Sequence, residues 1–204
     1  MVAENLLQIK AIKLEPTSTF LWASGWKSPI YCDNRLILSF PETRQLVTRF
    51  FCKLLQENYP DATMITGVAT GAIAHGVLVA DRLDLPFSYV RSASKTHGLE
   101  GMIEGKVTSE DRVVVIEDLV STGKSSLDAV RALRQTGCNI LGMMAIFTYG
   151  FEIASENFRR DKCKLYTLTS YNALLKVARE KGIIGPEHIE TLNEWRKDPA
   201  NWGK

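Results

Sequence analysis

The chain has 204 residues, 45% of them apolar and 24% charged, with a formal net charge of +2. That length and apolar fraction suit one globular domain with a sizeable core, and a charge this close to balance makes no case for a nucleic-acid polyanion as the main partner. No stretch approaches the roughly 18 apolar residues of a membrane span, and the opening "MVAENLLQIK", with Glu4 early and no uninterrupted apolar run, does not read as a signal peptide.

Residues 5–15 place Leu6, Leu7, Ile9, Ile12 and Leu14 at helical spacing, and Pro16 ends the pattern. Residues 20–38, "FLWASGWKSPIYCDNRLIL", set Gly25 and Pro29 between short aromatic or branched runs and predict a hairpin-like entry. From Pro41 to Asn58 the helical pattern returns. Pro41 and Glu42 suit a first turn, and Leu46, Val47, Phe50, Phe51, Leu54 and Leu55 share a face. The chain then alternates. "TMITGV" (63–68) reads as a strand, 72–83 as a helix, "FSYVR" (87–91) and "RVVVIE" (112–117) as strands, 124–136 as a helix and "NILGMMAIF" (139–147) as a strand. A helix near 151–159, a short strand "KLYTL" (164–168) and helical tails follow.

The runs 113–116 and 143–147 are solidly apolar with no period-two alternation, which fits strands covered on both faces. Alternating strands and helices then imply an α/β fold with a doubly wound, mostly parallel sheet. About the first 40 and last 35 residues fall outside the alternation. They are expected to cap one end of the sheet as a small hood, so that residues 1–204 form a single domain with its core at about 60–170. Cys32, Cys52, Cys138 and Cys163 are far apart, without a C-x-x-C pair, and are expected as reduced thiols in a cytoplasmic protein. His75 reads as a packing or capping histidine, Trp22 and Trp26 as core or dimer contacts, and Trp195 as an anchor of the tail.

Open parallel sheets bind ligands outside the carboxyl ends of their strands, here after Val68, Val90 and Ile116. The third end is the most informative. In "RVVVIEDLVSTGKSS" (112–126) the Gly-Lys-Ser imitates the close of a nucleotide-binding P-loop, but that loop needs glycine five residues before Gly123, where this chain has Asp118. What remains is a turn of small residues over 119–125. Ser121, Thr122 and Ser125 supply hydroxyl donors, Gly123 permits a positive φ, and a helix N-terminus opens there, so a single monophosphate fits. Glu117 and Asp118 stand just upstream, suited to accept hydrogen bonds from a diol. Together they point to a sugar phosphate such as a ribose 5-phosphate. The competing reading is an ordinary strand-to-helix turn with a solvated acidic pair.

The apolar run, two acids, two apolar residues and Ser-Thr-Gly-Lys-Ser resemble the phosphoribosyl diphosphate (PRPP) motif of the type I phosphoribosyltransferases. The resemblance implies that Glu117 and Asp118 hold the ribose 2′ and 3′ hydroxyls, and that Leu119, Val120, Ser121, Thr122, Gly123, Lys124 and Ser125 cradle the 5-phosphate. Lys124 has no P-loop task in that reading and is expected to point to solvent. Two further stretches are similar to the orotate phosphoribosyltransferases of that family. "VRSASKTHGLEGMIEGKV" (90–107) places Arg91, Lys95, His97 and Gly98 at the spacing of their catalytic loop, and about sixteen residues without a strand suit a lid. "SGWKSPIYCDNR" (24–35) resembles their N-terminal hood segment, with Tyr31 in its Ser-Pro motif.

The resemblance implies transfer of ribose 5-phosphate from PRPP to orotate. Lys95, Asp118 and Glu117 would be catalytic, and Arg91, Lys95 and His97 would meet the pyrophosphate. Mg²⁺ would be held through PRPP rather than by protein ligands, and a homodimer would share its sites. A phosphoribosyltransferase for another base, or a PRPP-binding regulator without turnover, are the alternatives. The chain departs from the family pattern at several points. Ala23 stands where a Lys often precedes Ser-Gly, with Lys27 as its nearby substitute. Thr70 and Gly71 replace a Tyr-Lys pair, leaving backbone N–H groups for pyrophosphate, and Ser92 replaces a second Lys. "FTYGF" (147–151) lacks the Arg that contacts orotate, with Ser121 as a substitute donor.

Overall fold

The computed structural model describes residues 1–22, 25–91 and 101–202. The chain opens with α1 (Val2–Gln8) and four short strands, β1 (Ile12–Leu14), β2 (Phe20–Leu21), β3 (Lys27–Ser28) and β4 (Ile30–Cys32). β1 pairs antiparallel with β4, and β2 with β3. Gly25, at φ +83°, lies between the two strands of the second pair. The helical reading of 5–15 is corrected here: the helix ends at Gln8, and Ile12 and Leu14 belong to a strand. Two apolar residues at i and i+2 serve a strand's period, and pairing with Cys32 and Ile30 decides between the two patterns.

A 3-10 turn (Asn34–Ser39) leads into α2 (Pro41–Asn58), where Pro41 takes the first helical position. Then follow β5 (Met64–Val68), α3 (Ile73–Leu83), β6 (Phe87–Val90), β7 (Ile103–Glu104), β8 (Arg112–Val120) and α4 (Lys124–Arg134). The chain continues through β9 (Asn139–Thr148), α5 (Glu152–Arg160), β10 (Leu165–Ser170), α6 (Tyr171–Glu180) and α7 (Glu187–Lys197). The central sheet has the order β10-β9-β8-β5-β6-β7, with every pairing parallel except β6–β7. β7 is too short to leave a periodic signature, and the sequence reading passed over it. Its pairing brings the chain back beside its point of departure: the Arg91 N–H donates to the Met102 carbonyl at 2.8 Å.

β8 shows why its run is apolar without alternation. Val114 and Ile116 pack into a cluster with Leu6 of α1, Phe51 of α2, Leu174 of α6 and Trp195 of α7. Val113 and Val115 pack on the other face with Leu127, Val130 and Leu133 of α4 and Phe158 of α5. Both faces are covered, as a doubly wound sheet requires.

Trp195 joins the two ends of the chain. It is fully buried and donates Nε1–H to the Lys27 carbonyl at 3.2 Å. The rings of Trp22, Tyr149, Phe151 and Tyr171 surround it at centroid distances of 5.6–5.7 Å. Burying an indole of about 150–250 Å² stabilises on the order of 4 kcal/mol. The N-terminal strands and α7 are thereby fixed against the turn that follows β9.

Candidate active site

β8 runs three residues past the end predicted for it, to Val120, because Leu119 and Val120 stay in register with Phe147 and Thr148 of β9. The expected cradle over 119–125 therefore divides. Leu119 and Val120 are strand, Ser121 to Gly123 form the turn, and Lys124 and Ser125 begin α4, both exposed. Gly123 is required twice over. Its φ is +78°, and a Cβ there would lie 2.7 Å from Cε2 of Phe158. Asn157 of α5 donates Nδ2–H to the Thr122 carbonyl at 3.0 Å. α5 thus braces the turn through one polar and one apolar contact. The N-terminus of α4 has no side-chain cap, and its first N–H groups lack intrahelical partners, the general condition for an anion site.

The two acids at the end of β8 meet through their side chains but differ in what else holds them. Glu117 is 4% exposed, and both of its oxygens are engaged. Oε1 accepts from the Asp118 backbone N–H at 2.9 Å, and Oε2 accepts from the Ser126 hydroxyl of α4 at 2.8 Å. Burial first, then the charge of Asp118 and a hydrogen bond between the two side chains, push the Glu117 pKa well above 4.5, against the pull of the Ser126 hydroxyl and the Asp118 N–H. Asp118 is half-buried. Its carboxylate rests on Gly71, where a Cβ would overlap it. Its carbonyl accepts from Nδ2–H of the buried Asn34 at 2.7 Å, which pins the N-terminal 3-10 turn to the strand end.

The remaining expected site residues lie around this centre. Arg91 leaves β6 and pairs with Glu104 of β7 at 3.3 Å. Lys27 is exposed on β3, and Tyr31 of β4 is 40% exposed with its ring 5.6 Å from that of Phe20. Thr70 and Gly71 form the turn between β5 and α3. Lys95 and His97, together with Ala23, Ser92 and Gly98, lie outside the described residues. Where the family pattern puts an Arg after β9, Tyr149 and Phe151 are buried and stack on one another at 5.4 Å. His75 makes no hydrogen bond through either ring nitrogen to a described residue, so it caps nothing. Among the described residues no three His, Cys, Asp or Glu side chains gather as ligands for a metal. No described helix is long and apolar enough to cross a membrane.

The sequence reading missed three supporting residues. Asn34 reaches Asp118 across 84 positions, and Asn157 reaches Thr122 across 35, so no local spacing announces either. Ser126 follows the hydroxyl-rich turn directly, and only the helical turn of α4 reveals that it points back to Glu117.

The phosphoribosyl transferase domain family matches residues 36–177 of the chain. The doubly wound, mostly parallel sheet is the fold of that family, and the chain is a phosphoribosyltransferase. Sequence similarity carries further. The chain is 52% identical over 203 residues to the orotate phosphoribosyltransferase of Porphyromonas gingivalis, covering 100% of this chain and 97% of that one. It is 56% identical over 202 residues to that of Bacteroides thetaiotaomicron, covering 99% and 95%. Among solved structures it resembles the orotate phosphoribosyltransferase from Aeropyrum pernix, with a TM-score of 0.77 at 25% identity over 91% of this chain and 100% of that one. The chain belongs to the orotate phosphoribosyltransferase family.

Proposed function

We propose that the protein transfers the ribose 5-phosphate group of PRPP to orotate, giving orotidine 5′-phosphate and pyrophosphate, in de novo pyrimidine biosynthesis. The observation that carries this reading is the end of β8, where the half-buried Asp118 carboxylate precedes, by a few residues, a turn that opens the uncapped N-terminus of α4. A ribose 5-phosphate spans these two features. Its phosphate meets the N–H groups and hydroxyls of Ser121, Thr122 and Ser125, and a ring hydroxyl donates to Asp118.

In the reaction the C1′–O bond to pyrophosphate breaks and its electron pair leaves with the pyrophosphate. A ring nitrogen of orotate bonds to C1′ and its proton passes to solvent. Positive charge builds on the ribose as the first bond stretches. The negative charge of Asp118 favours that charge while its hydrogen bond fixes the ring. Holding the sugar at two points brings C1′ into line between base and leaving group. Glu117 keeps the joint between β8 and α4 rigid, and is a second acceptor for the diol if Ser126 releases it. Arg91, Lys95 and His97 stabilise the departing pyrophosphate. Backbone N–H groups of the turn at Thr70 and Gly71 take the same leaving group from the other side. Lys27, Tyr31 and Ser121 are the groups placed for orotate.

Mg²⁺ would be held through PRPP, since among the described residues no cluster of carboxylates or histidines gathers to ligate it directly, and it would neutralise part of the charge on the leaving group. Two copies sharing sites across a dimer, a cytoplasmic location, and a single domain over 1–204 with a hood from about 1–40 and the tail complete the proposal. The direct test follows the loss of orotate absorbance in the near ultraviolet on addition of PRPP, with and without Mg²⁺, beside a panel of purine bases. Turnover restricted to orotate is expected. Turnover of a purine in its place would move the chain to another base, and tight PRPP binding without pyrophosphate release would make it a regulator.

A further inference from the structure

β5 pairs with β8 only as far as Gly67 opposite Ile116. Asp118 lies beyond that last β5 partner, so its backbone N–H and carbonyl need partners from elsewhere. Its N–H donates to Glu117 Oε1 at 2.9 Å, and its carbonyl accepts from Asn34 Nδ2–H at 2.7 Å. The second bond comes from outside the sheet. Asn34 opens the 3-10 turn that follows β4 and is 1% exposed. Its amide can meet the carbonyl in one orientation, since only the NH2 end donates. The other end is engaged as well, with Oδ1 accepting from the Cys32 thiol of β4 at 3.5 Å. A buried amide with a partner at each end is held in place, so it ties the Asp118 backbone to the strand that bears Tyr31.

We propose that Asn34 is a positioning residue: it supplies the partner that β5 no longer gives to Asp118 and so sets where the Asp118 carboxylate meets the sugar diol. This rests on the reading of Asp118 as the diol acceptor. The carboxylate rests on Gly71 with no space for a methyl group between them, so a shift of the strand end moves it. Losing the Asn34 donor also leaves the Asp118 carbonyl without its partner, and the strand end must shift to find another.

The test is a double-mutant cycle with a control at the far end of the amide. Asn34→Leu keeps the approximate volume and removes the donor, whereas Cys32→Ala removes the thiol contact and leaves the donor. The Leu variant is expected to lose about tenfold or more in kcat and to bind ribose 5-phosphate several-fold more weakly, and Cys32→Ala to stay within about threefold on both. In an Asp118→Asn background, Asn34→Leu should add less than about twofold, because the carboxylate it positions is gone. Equal losses in Asn34→Leu and Cys32→Ala, or a full additive loss in the Asp118→Asn background, overturn the proposal alone. Parental activity in Asp118→Asn overturns the reading of Asp118 and the proposal with it. An independent measurement needs no change at Asn34. Its side-chain amide resonances should move when ribose 5-phosphate is added to the parent, and that movement should be lost in Asp118→Asn. Resonances that stay fixed in the parent refute the role whether or not the Leu variant folds. If the parent turns over no orotate, ribose 5-phosphate binding to the same variants still decides the role of Asn34, separately from the identity of the base.

Discussion

Glu117 and Asp118 are neighbours in the chain and opposites in environment. On the α4 side of β8, Glu117 is closed in, with one oxygen on a backbone N–H and the other on Ser126. On the hood side, Asp118 is held by its surroundings without being consumed by them: Gly71 supports its carboxylate and Asn34 takes its carbonyl. An acid whose oxygens are both satisfied locks a strand to a helix. One that is oriented yet half open is available to a substrate. The contrast teaches that two adjacent acids whose side chains meet can still differ in exposure and in the partners that hold them.

The sharpest way to break this comparison is to neutralise each acid in turn. Asp118→Asn is expected to lower kcat by about 100-fold or more, the scale of lost electrostatic stabilisation at a reacting centre, with the melting temperature within a few degrees of the parent. Glu117→Gln keeps the acceptor for the Asp118 N–H and should cost about tenfold or less. Steady-state kinetics that reverse this order would make Glu117 the principal diol acid. Gly71→Ala comes next. The new methyl must displace the Asp118 carboxylate, and a misplacement of about 1 Å at a reacting centre costs on the order of 10- to 100-fold in kcat. Wild-type turnover in a folded Gly71→Ala protein would show that the carboxylate has room to spare.

Much of this was legible in the sequence, and the part that was not has a physical cause. The β8–α4 turn announces itself by side chains, since hydroxyls, a glycine and a basic residue are all visible as letters. The apolar runs of β8 and β9 gave the covered sheet for the same reason. The β5–α3 turn works by what is missing: Gly71 serves Asp118 by having no Cβ, and its partner lies 47 positions away in the chain (118 − 71). Asn34 and Asn157 are likewise remote from the groups they hold. β1 was misread because Ile12 and Leu14 satisfy a helix and a strand equally well, and only β4 settles the choice.

A smaller effect probes the support of the phosphate turn. Asn157→Ala removes one neutral hydrogen bond to the Thr122 carbonyl, worth about 1 kcal/mol, so the KM for PRPP should rise about fivefold with kcat nearly unchanged. A fall in kcat at constant KM would mean that α5 steadies the reacting centre rather than the phosphate.

A last effect lies in the pH dependence of stability, where burial acts with opposite signs on Glu117 and His75. The Glu117 pKa is raised on folding, so its contribution is complete below 4.5, the unfolded value, and is lost as pH climbs through the higher folded value. The His75 pKa is lowered on folding, so its contribution is complete above 6.5 and is lost as pH falls through the lower folded value. Melting temperatures of Glu117→Gln should therefore gain on the parent as pH rises above 4.5. Those of His75→Asn should gain as pH falls below 6.5. Each pKa unit corresponds to about 1.4 kcal/mol, or roughly 3–6 °C for a domain of this size. Burial is the leading cause of both shifts and acts oppositely on an acid and on a base, so two differences of the same sign would show that burial does not govern both groups. Opposite slopes would show that the two buried groups are each held in their uncharged forms.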